Sequence, residues 1–207
     1  MKLLSACILR RNTDTPPVVI LDAAYNLADH SLFTRNFVRD FLARASRVVF
    51  GRTEGALSVD YSDGFEMAMH CFVEADGLGV LVTADKSYPA RVAIAMAKQL
   101  MGDFRAAHGA APAWRACVED GGCRLPGLEA ALRDWQAPAR VDEVEKELLA
   151  RLGETEGLPA REVLLPGDVP AAPACEIDSA EKFRNHYVTA SMMHYTSGFV
   201  ARCCSLA

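Results

Sequence analysis

The chain has 207 residues, of which 51% are hydrophobic and 24% are charged, and its formal net charge is −5. This size and composition are typical of one globular domain followed by a shorter segment. Because an acidic chain gains little from attraction to phosphate groups, nucleic acid is not an expected partner. No apolar run approaches the roughly 18 residues of a membrane-spanning helix, and no signal peptide is recognisable. Any contact with a membrane should therefore come from lipid or from a partner protein.

The first part of the chain predicts strands on either side of one long helix. Short apolar or β-branched runs bounded by turn residues predict strands, and they cover residues 3–9, 18–21, 57–61, 65–73 and 77–84. Between the second and the third strand, apolar residues recur at intervals of about four, which predicts a helix. These residues are Phe33, Phe37, Phe41, Ala45 and Val48, and Val38 and Leu42 widen the stripe.

Two further helices follow the last strand. One opens at Pro89, since proline is tolerated in a first helical turn, and a short one lies around Leu132 after a loop at residues 109–122. The order ββαβββαα, with hairpins between the strands, predicts an antiparallel sheet covered by helices on both faces, the α+β class. We place this domain at residues 1–137.

Residues 138–200 differ in character from the domain. A charged helix is predicted over residues 141–156, with a narrow apolar edge. A run rich in alanine, glycine and proline follows, and a last helix is predicted from Asp178, whose spacing from Glu181 suits a capping box. The apolar edge consists of Val141, Val144, Leu148 and Leu152.

The tail, residues 201–207, carries a candidate site of lipid attachment. Cys204-Ser205-Leu206-Ala207 fits the C-a-a-X prenylation pattern, and alanine in the last place favours a farnesyl group. One lipid chain binds membranes only marginally, so a second signal is needed for stable anchoring. With only two arginines nearby, Cys203 is the expected site of that signal, as a palmitoyl thioester. The tail therefore predicts a membrane anchor with a reversible component.

No catalytic or metal site is expected. The cysteines outside the tail form no C-x-x-C pair and show no pairing logic, so we interpret them as reduced thiols. His70 and Cys71 are adjacent on a predicted strand, so their side chains point to opposite faces and cannot form a Cys/His pair. We therefore expect that the protein is not an enzyme and that it carries no cofactor other than covalently attached lipid.

Four internal segments, together with the tail, resemble one family. They are MKLLS at residues 1–5, SLFTR at 31–35, ADKSYPARVA at 84–93 and LEAALRDWQAP at 128–138. With the Cys-Cys-a-a-X end, they are similar to the prenylated longin R-SNAREs of the "Ykt-six" type. The resemblance covers residues 1 to about 150 and the last five residues.

This resemblance implies a fold and a function. The fold is a longin, or profilin-like, domain with a five-stranded antiparallel sheet, one helix on one face and two on the other. By resemblance, the domain would fold back on its own SNARE segment and shield the lipid. The protein would act in vesicle transport and membrane fusion with glutamine-type (Q-) SNAREs or other trafficking proteins. It would reside in the cytoplasm and on the cytoplasmic face of the Golgi, ER, vesicles and endosomes.

The aromatic stripe of the first helix has two interpretations. Phe33, Phe37 and Phe41 are either core residues that pack on the sheet or, by resemblance, part of the groove in which the SNARE segment docks. The apolar edge Val141, Val144, Leu148 and Leu152 would supply layers of a SNARE bundle.

The segment between the domain and the tail departs from the family. A SNARE helix needs some fifty uninterrupted residues in a heptad pattern, whereas four prolines here would together cost on the order of 10 kcal/mol in a helix. No arginine occupies the expected central position near residues 164–167. A second interpretation therefore stands beside the first: a non-fusogenic longin adaptor that regulates trafficking without a working SNARE helix.

Overall fold

The computed structural model describes residues 1–12, 17–61, 67–109, 112–152, 158–165 and 168–170. Apart from Pro170, these residues belong to one compact unit, Met1–Val169. None of the helices within the described ranges has both the length and the apolar content to cross a membrane. The predicted helix from Asp178, the prolines at 166 and 173, and the tail with Cys203 and Cys204 lie outside the described residues.

The elements appear in the order ββαβββααααβ. Their bounds are β1 Leu3–Arg11, β2 Val18–Tyr25, α1 Leu32–Arg52, β3 Gly55–Tyr61, β4 Met67–Val73, β5 Leu78–Asp85, α2 Ala90–His108, α3 Pro112–Arg115, α4 Leu128–Asp134, α5 Pro138–Leu152 and β6 Ala160–Leu164. Two elements were not predicted: the short α3, inside the expected loop at 109–122, and β6. Pro89 caps α2 from outside rather than occupying its first turn.

The strands form one sheet in the order β2-β1-β5-β4-β3-β6. The first five strands are paired antiparallel, as predicted. The sixth is different, because β6 pairs parallel with β3 from Ala160 opposite Leu57 to Leu164 opposite Tyr61. The expectation of a sheet with five antiparallel strands is therefore incomplete. A five-residue strand with two charged residues and no apolar alternation gives no clear strand signal.

Helices cover both faces of the sheet, which confirms the α+β class. Helix α1 packs on one face, against β1, β2, β4 and β5, while α2 and α4 pack on the other. Helix α5 packs against α2 and adds Val141 and Val144 to the core of that face. The compact unit thus continues past residue 137, where the sequence placed the end of the domain.

The buried face of α1 is not the aromatic stripe. Its core residues are Val38, Leu42, Ala45, Ser46, Val49 and Phe50. Phe33 is 92% exposed, and Phe37 and Phe41 are half-buried, so the expectation that these three form the core is wrong. A row spaced strictly by four drifts around the helix, because 3.6 residues make one turn. The real stripe mixes steps of three and four and so stays on the sheet.

Gly79 in β5 lies where no side chain fits. A Cβ atom there would stand 2.8 Å from Phe50 Cε2 and 2.9 Å from Val73 Cα, and it would overlap the carbonyl oxygen of Phe72. Real Cβ atoms do not come so close, and two of these neighbours are backbone atoms. The close approach of α1 and β4 to the central strand therefore requires glycine.

We predict that Gly79→Ala lowers the free energy of unfolding by about 3 kcal/mol, because the added methyl group forces the sheet and Phe50 apart. Chemical denaturation of the purified chain measures this. Gly102→Ala is the matched control: it lies in α2 with nothing near its Cβ position, and alanine there should stabilise the helix by up to about 1 kcal/mol. Equal effects of the two substitutions would contradict the packing argument.

Candidate functional site: the docking surface of the C-terminal segment

Strand β6 binds the outer edge of β3. Its residues alternate between the two faces of the sheet, and Leu164, opposite Tyr61, is fully buried. On the same face, the Glu162 carboxylate lies 3.6 Å from Nε of Arg52 at the end of α1. Val163, on the opposite face, is 57% exposed. One buried leucine, one ion pair and a ladder of backbone hydrogen bonds therefore hold the strand.

The aromatic stripe of α1 reaches the same edge of the sheet. Phe41 meets Tyr61 edge-on, with 5.3 Å between ring centroids, and Tyr61 is the residue opposite Leu164. Further toward the helix start, Phe33 and Leu32 are 92% and 74% exposed. Half-buried Phe37 lies between them and Phe41 along the chain. The stripe thus begins in solvent and ends beside the docked strand.

Helix α5 presents its apolar edge to the domain. Val141 and Val144 are buried in the core cluster, and Leu148 is partly buried against it. Leu152, the last of the predicted edge, is 37% exposed. The first residues of the edge therefore contact the domain, whereas their role as layers of a SNARE bundle stays a prediction.

His70 and Cys71 occupy opposite faces of β4, as predicted. The Ser58 hydroxyl and Nδ1 of His70 lie 2.7 Å apart in a buried pair. Burial is the main cause that lowers the pKa of His70 to about 4; Asp60 opposes this shift and Arg161 adds to it. Burial likewise raises the pKa of the Cys71 thiol to about 12, so at neutral pH it is a poor nucleophile. Neither residue has the properties of a catalytic group.

Metal binding finds no support in the described part of the chain, where no three His, Cys, Asp or Glu residues are grouped to hold an ion. Sequence reasoning missed the docked strand β6, the feature that organises this surface. The sequence signal for this strand is weak: Val163-Leu164-Leu165 is a short apolar run between two prolines.

Comparison with curated proteins identifies relatives in fungi and plants. The chain is 30% identical over 146 residues to the synaptobrevin homologue ykt6 of Schizosaccharomyces pombe, covering 70% of each chain. It is 28% identical over 148 residues to the VAMP-like protein YKT61 of Arabidopsis thaliana, covering 70% of this chain and 71% of the relative. The Yarrowia lipolytica synaptobrevin homologue YKT6 is 30% identical over 146 residues, again 70% of each chain. No protein-family model matches the chain.

The low pKa of His70 predicts a pH dependence of stability. Above its ordinary pKa of 6.5, His70 is neutral in both the folded and the unfolded chain, so it does not make the free energy of unfolding depend on pH. Between pH 6.5 and about 4, only the unfolded chain binds the proton. The free energy of unfolding then falls with decreasing pH, by on the order of 3 kcal/mol in total.

His70→Gln removes this contribution while keeping a polar side chain beside Ser58. Denaturant titrations between pH 8 and pH 4 should show a shallower loss for the variant below about pH 6.5. Above that pH, the wild type and the variant should run parallel. Identical slopes below pH 6 would mean that His70 titrates normally in the folded protein.

Proposed function

Because the chain belongs to the Ykt6 family of longin SNARE proteins, we propose that it is a lipid-anchored SNARE in vesicle transport whose longin domain regulates its C-terminal segment. Its expected partners are Q-SNAREs or other trafficking proteins. Its proposed place is the cytoplasm and the cytoplasmic face of the Golgi, ER, vesicles and endosomes. The observation that supports the regulatory part of this proposal is the pairing of β6 with β3.

Docking and bundle formation exclude each other physically. A SNARE bundle requires the segment after the domain to be helical and to present its apolar edge to three partner helices. Here residues 160–164 are a strand on β3, and Val141 and Val144 face the domain core. The same residues cannot satisfy both arrangements at once. The docked state is therefore an inactive state of the segment in the proposed mechanism.

Burial of apolar side chains stabilises the docked state of the segment. Burial of Val141, Val144 and Leu164 contributes about 1.5–3 kcal/mol for each side chain, an upper estimate because an unfolded segment already hides part of its apolar surface. A partner opens the domain only if it binds the released segment more tightly by at least the free energy of docking. In this mechanism the domain sets a threshold for assembly.

A lipid anchor on the tail is the second part of the proposed mechanism. A farnesyl group on Cys204 gives marginal membrane affinity, and a palmitoyl group on Cys203 makes the attachment stable. Removal of the palmitoyl group returns the protein to the cytosol, so membrane residence is reversible. The domain and the tail would then act together, since a docked segment keeps the bundle-forming residues away from partners at the membrane.

One observation favours the second candidate function, a non-fusogenic longin adaptor. Helix α5 ends at Leu152, and buried Pro159 precedes β6, so the helical edge is short. Position 164 is a buried leucine and position 165 an exposed one, where the family pattern calls for an arginine. An adaptor would use the domain surface for its partners and would not need a complete bundle.

We predict that Leu164→Asp releases the docked segment, because a carboxylate in place of a fully buried leucine is costly. Amide hydrogen exchange should become faster in residues 55–61 and 160–164, and stay unchanged in β1. Val163→Asp is the matched control, since it places the same charge one residue earlier on the exposed face. Unchanged exchange at the edge of β3 in Leu164→Asp would contradict the role of β6.

The same pair of variants separates the two candidate functions. For a regulated SNARE, Leu164→Asp should form detergent-resistant complexes with three Q-SNAREs faster than the wild type or Val163→Asp does. For an adaptor, neither variant forms such complexes. In that case residues 1–169, the compact unit, should still capture the trafficking partners of the whole chain. Complex formation at equal rates by all three proteins would remove the regulatory part of the proposal.

The anchor predicts a distinct labelling pattern. Metabolic labelling with a farnesyl analogue should mark the wild type and Cys203→Ser, but not Cys204→Ser, because the thioether forms on the C-a-a-X cysteine. A palmitate analogue should mark the wild type and not Cys203→Ser. Membrane fractionation should rank the wild type above Cys203→Ser and Cys204→Ser lowest. Equal partition of all three would exclude the tail as the anchor.

A further inference from the structure

A loop between α3 and α4 is fastened along the outer edge of β2. The Gly121 amide donates to the Ile20 carbonyl at 2.9 Å, and the Ile20 amide donates to the Asp120 carboxylate at 3.0 Å. The Cys123 amide donates to the Leu21 carbonyl at 3.2 Å. The loop therefore continues the hydrogen bonding of the sheet at an edge where no seventh strand lies among the described residues.

The turn in this loop brings two thiols together. The sulfur atoms of Cys117 and Cys123 lie 3.2 Å apart, and both residues are half-buried. Gly121 turns the chain with φ of 74°, a conformation that favours glycine. At Gly122 a Cβ atom would overlap the Cys117 sulfur. Gly121 thus makes the turn and Gly122 leaves room for the sulfur pair, which explains the Gly-Gly sequence just before Cys123.

These thiols differ from the other described cysteines. Cys7 and Cys71 are fully buried on the α1 face, and burial raises their pKa to about 11 and about 12. The Cys7 sulfur accepts a hydrogen bond from the Ser46 hydroxyl at 3.9 Å. The loop pair, by contrast, is only partly buried against the core and lies next to Val118, which is 63% exposed. The pair is therefore more accessible to a small disulfide reagent than Cys7 or Cys71 is.

A hydrogen bond and a neighbouring guanidinium group hold the sulfur pair in place. The Cys123 thiol donates its hydrogen bond to the Cys117 sulfur, and burial raises the pKa of Cys123 to about 11. The Arg10 guanidinium holds the Cys117 carbonyl through Nε at 2.9 Å, which places a positive charge beside this residue. The two sulfurs are thus held within reach of each other, so either one can attack a mixed disulfide formed on the other.

We propose that Cys117 and Cys123 form a reversible intramolecular disulfide that locks the loop onto β2. The co-reactant is a low-molecular-weight disulfide such as glutathione disulfide. One cysteine of the pair, as its thiolate, attacks one of the sulfurs of this reagent, a mixed disulfide forms, and one glutathione thiolate leaves. The other cysteine, having lost its proton to solvent, attacks the protein sulfur of the mixed disulfide and expels the second glutathione as its thiolate. Two protein thiols are oxidised and one glutathione disulfide is reduced to two thiols.

Oxidation would act on the surface that the loop borders. Asp120, Gly121 and Arg124 line a cleft of about 900 Å³ that runs beside β2, with α1 on the far side. The disulfide closes a ring from residue 117 to residue 123, and so removes conformations in which the loop leaves the strand. One wall of the cleft becomes fixed. Reduction by glutathione restores the freer loop.

Mass spectrometry tests the modification directly, because cleavage after Arg115 and Arg124 yields one peptide, residues 116–124, with both cysteines. The full chain is equilibrated with mixtures of reduced and oxidised glutathione, and free thiols are then alkylated under denaturing conditions. We expect this peptide to appear unalkylated and lighter by two hydrogen atoms in oxidising mixtures, and to recover fully on reduction. Cys7 and Cys71 should stay alkylated throughout and serve as internal controls.

A thermal measurement tests the locking. Oxidation should raise the Tm of the wild type by about 5 °C. The disulfide also closes the ring in the unfolded chain, and so lowers the conformational entropy of that state. Cys117→Ser and Cys123→Ser should show no such shift in the same mixtures. Finding only glutathione adducts or intermolecular disulfides on peptide 116–124 would overturn the proposal. So would a disulfide that leaves the Tm unchanged, since the loop would then not be locked.

Discussion

An edge strand of a sheet carries a row of amide and carbonyl groups without partners, and β3 would be such an edge without β6. Parallel pairing from Ala160 to Leu164 satisfies this row, and the cost of leaving it open explains why the segment docks. The rest of the proposed regulation depends on this ladder. If a partner helix takes residues 160–164 away, β3 loses its neighbour, and Leu164 leaves its place opposite Tyr61. The sheet edge and the proposed SNARE segment are thus coupled through the same hydrogen bonds.

Helix α1 links this edge to the surface. One of its faces holds the sheet through Val38, Leu42 and Val49, all buried. The aromatic stripe leaves that face gradually, so Phe41 still touches Tyr61 while Phe33 stands in solvent. A single helix therefore serves the core and the docking surface together. Phe33, Phe37 and Phe41 remain candidates for the groove in which, by resemblance, the SNARE segment docks.

The opposite edge of the sheet is closed in another way. There the loop around Asp120 and Gly121 binds β2 through individual hydrogen bonds rather than through a strand. The two glycines that allow this turn also bring Cys117 and Cys123 into contact. The sheet thus has one edge, β3, that is paired with a segment that should be released during function. Its other edge, β2, is bound by a loop that the proposed disulfide would lock. The two edges are four strands apart in the sheet order, so a change at one need not disturb the other.

The sequence by itself determined the class of fold, the first five strands and the helices that follow long apolar periods. These signals are local, since each element buries a stripe or an alternation that can be read along the chain. It also carried the motifs of the family and the tail cysteines, which no fold is needed to recognise. It did not determine which face of α1 is buried, because two apolar stripes compete on that helix and only the sheet selects between them.

Only the tertiary structure decided the place of β6 and of the sulfur pair. A strand as short and as charged as residues 160–164 forms because β3 offers it a ladder of partners, not because of its own propensity. Cys117 and Cys123 looked unrelated, because spacing along the chain does not reveal a turn that depends on Gly121 and on hydrogen bonds to β2. Local patterns determine local elements, whereas docking and thiol contact depend on atoms that meet only after folding.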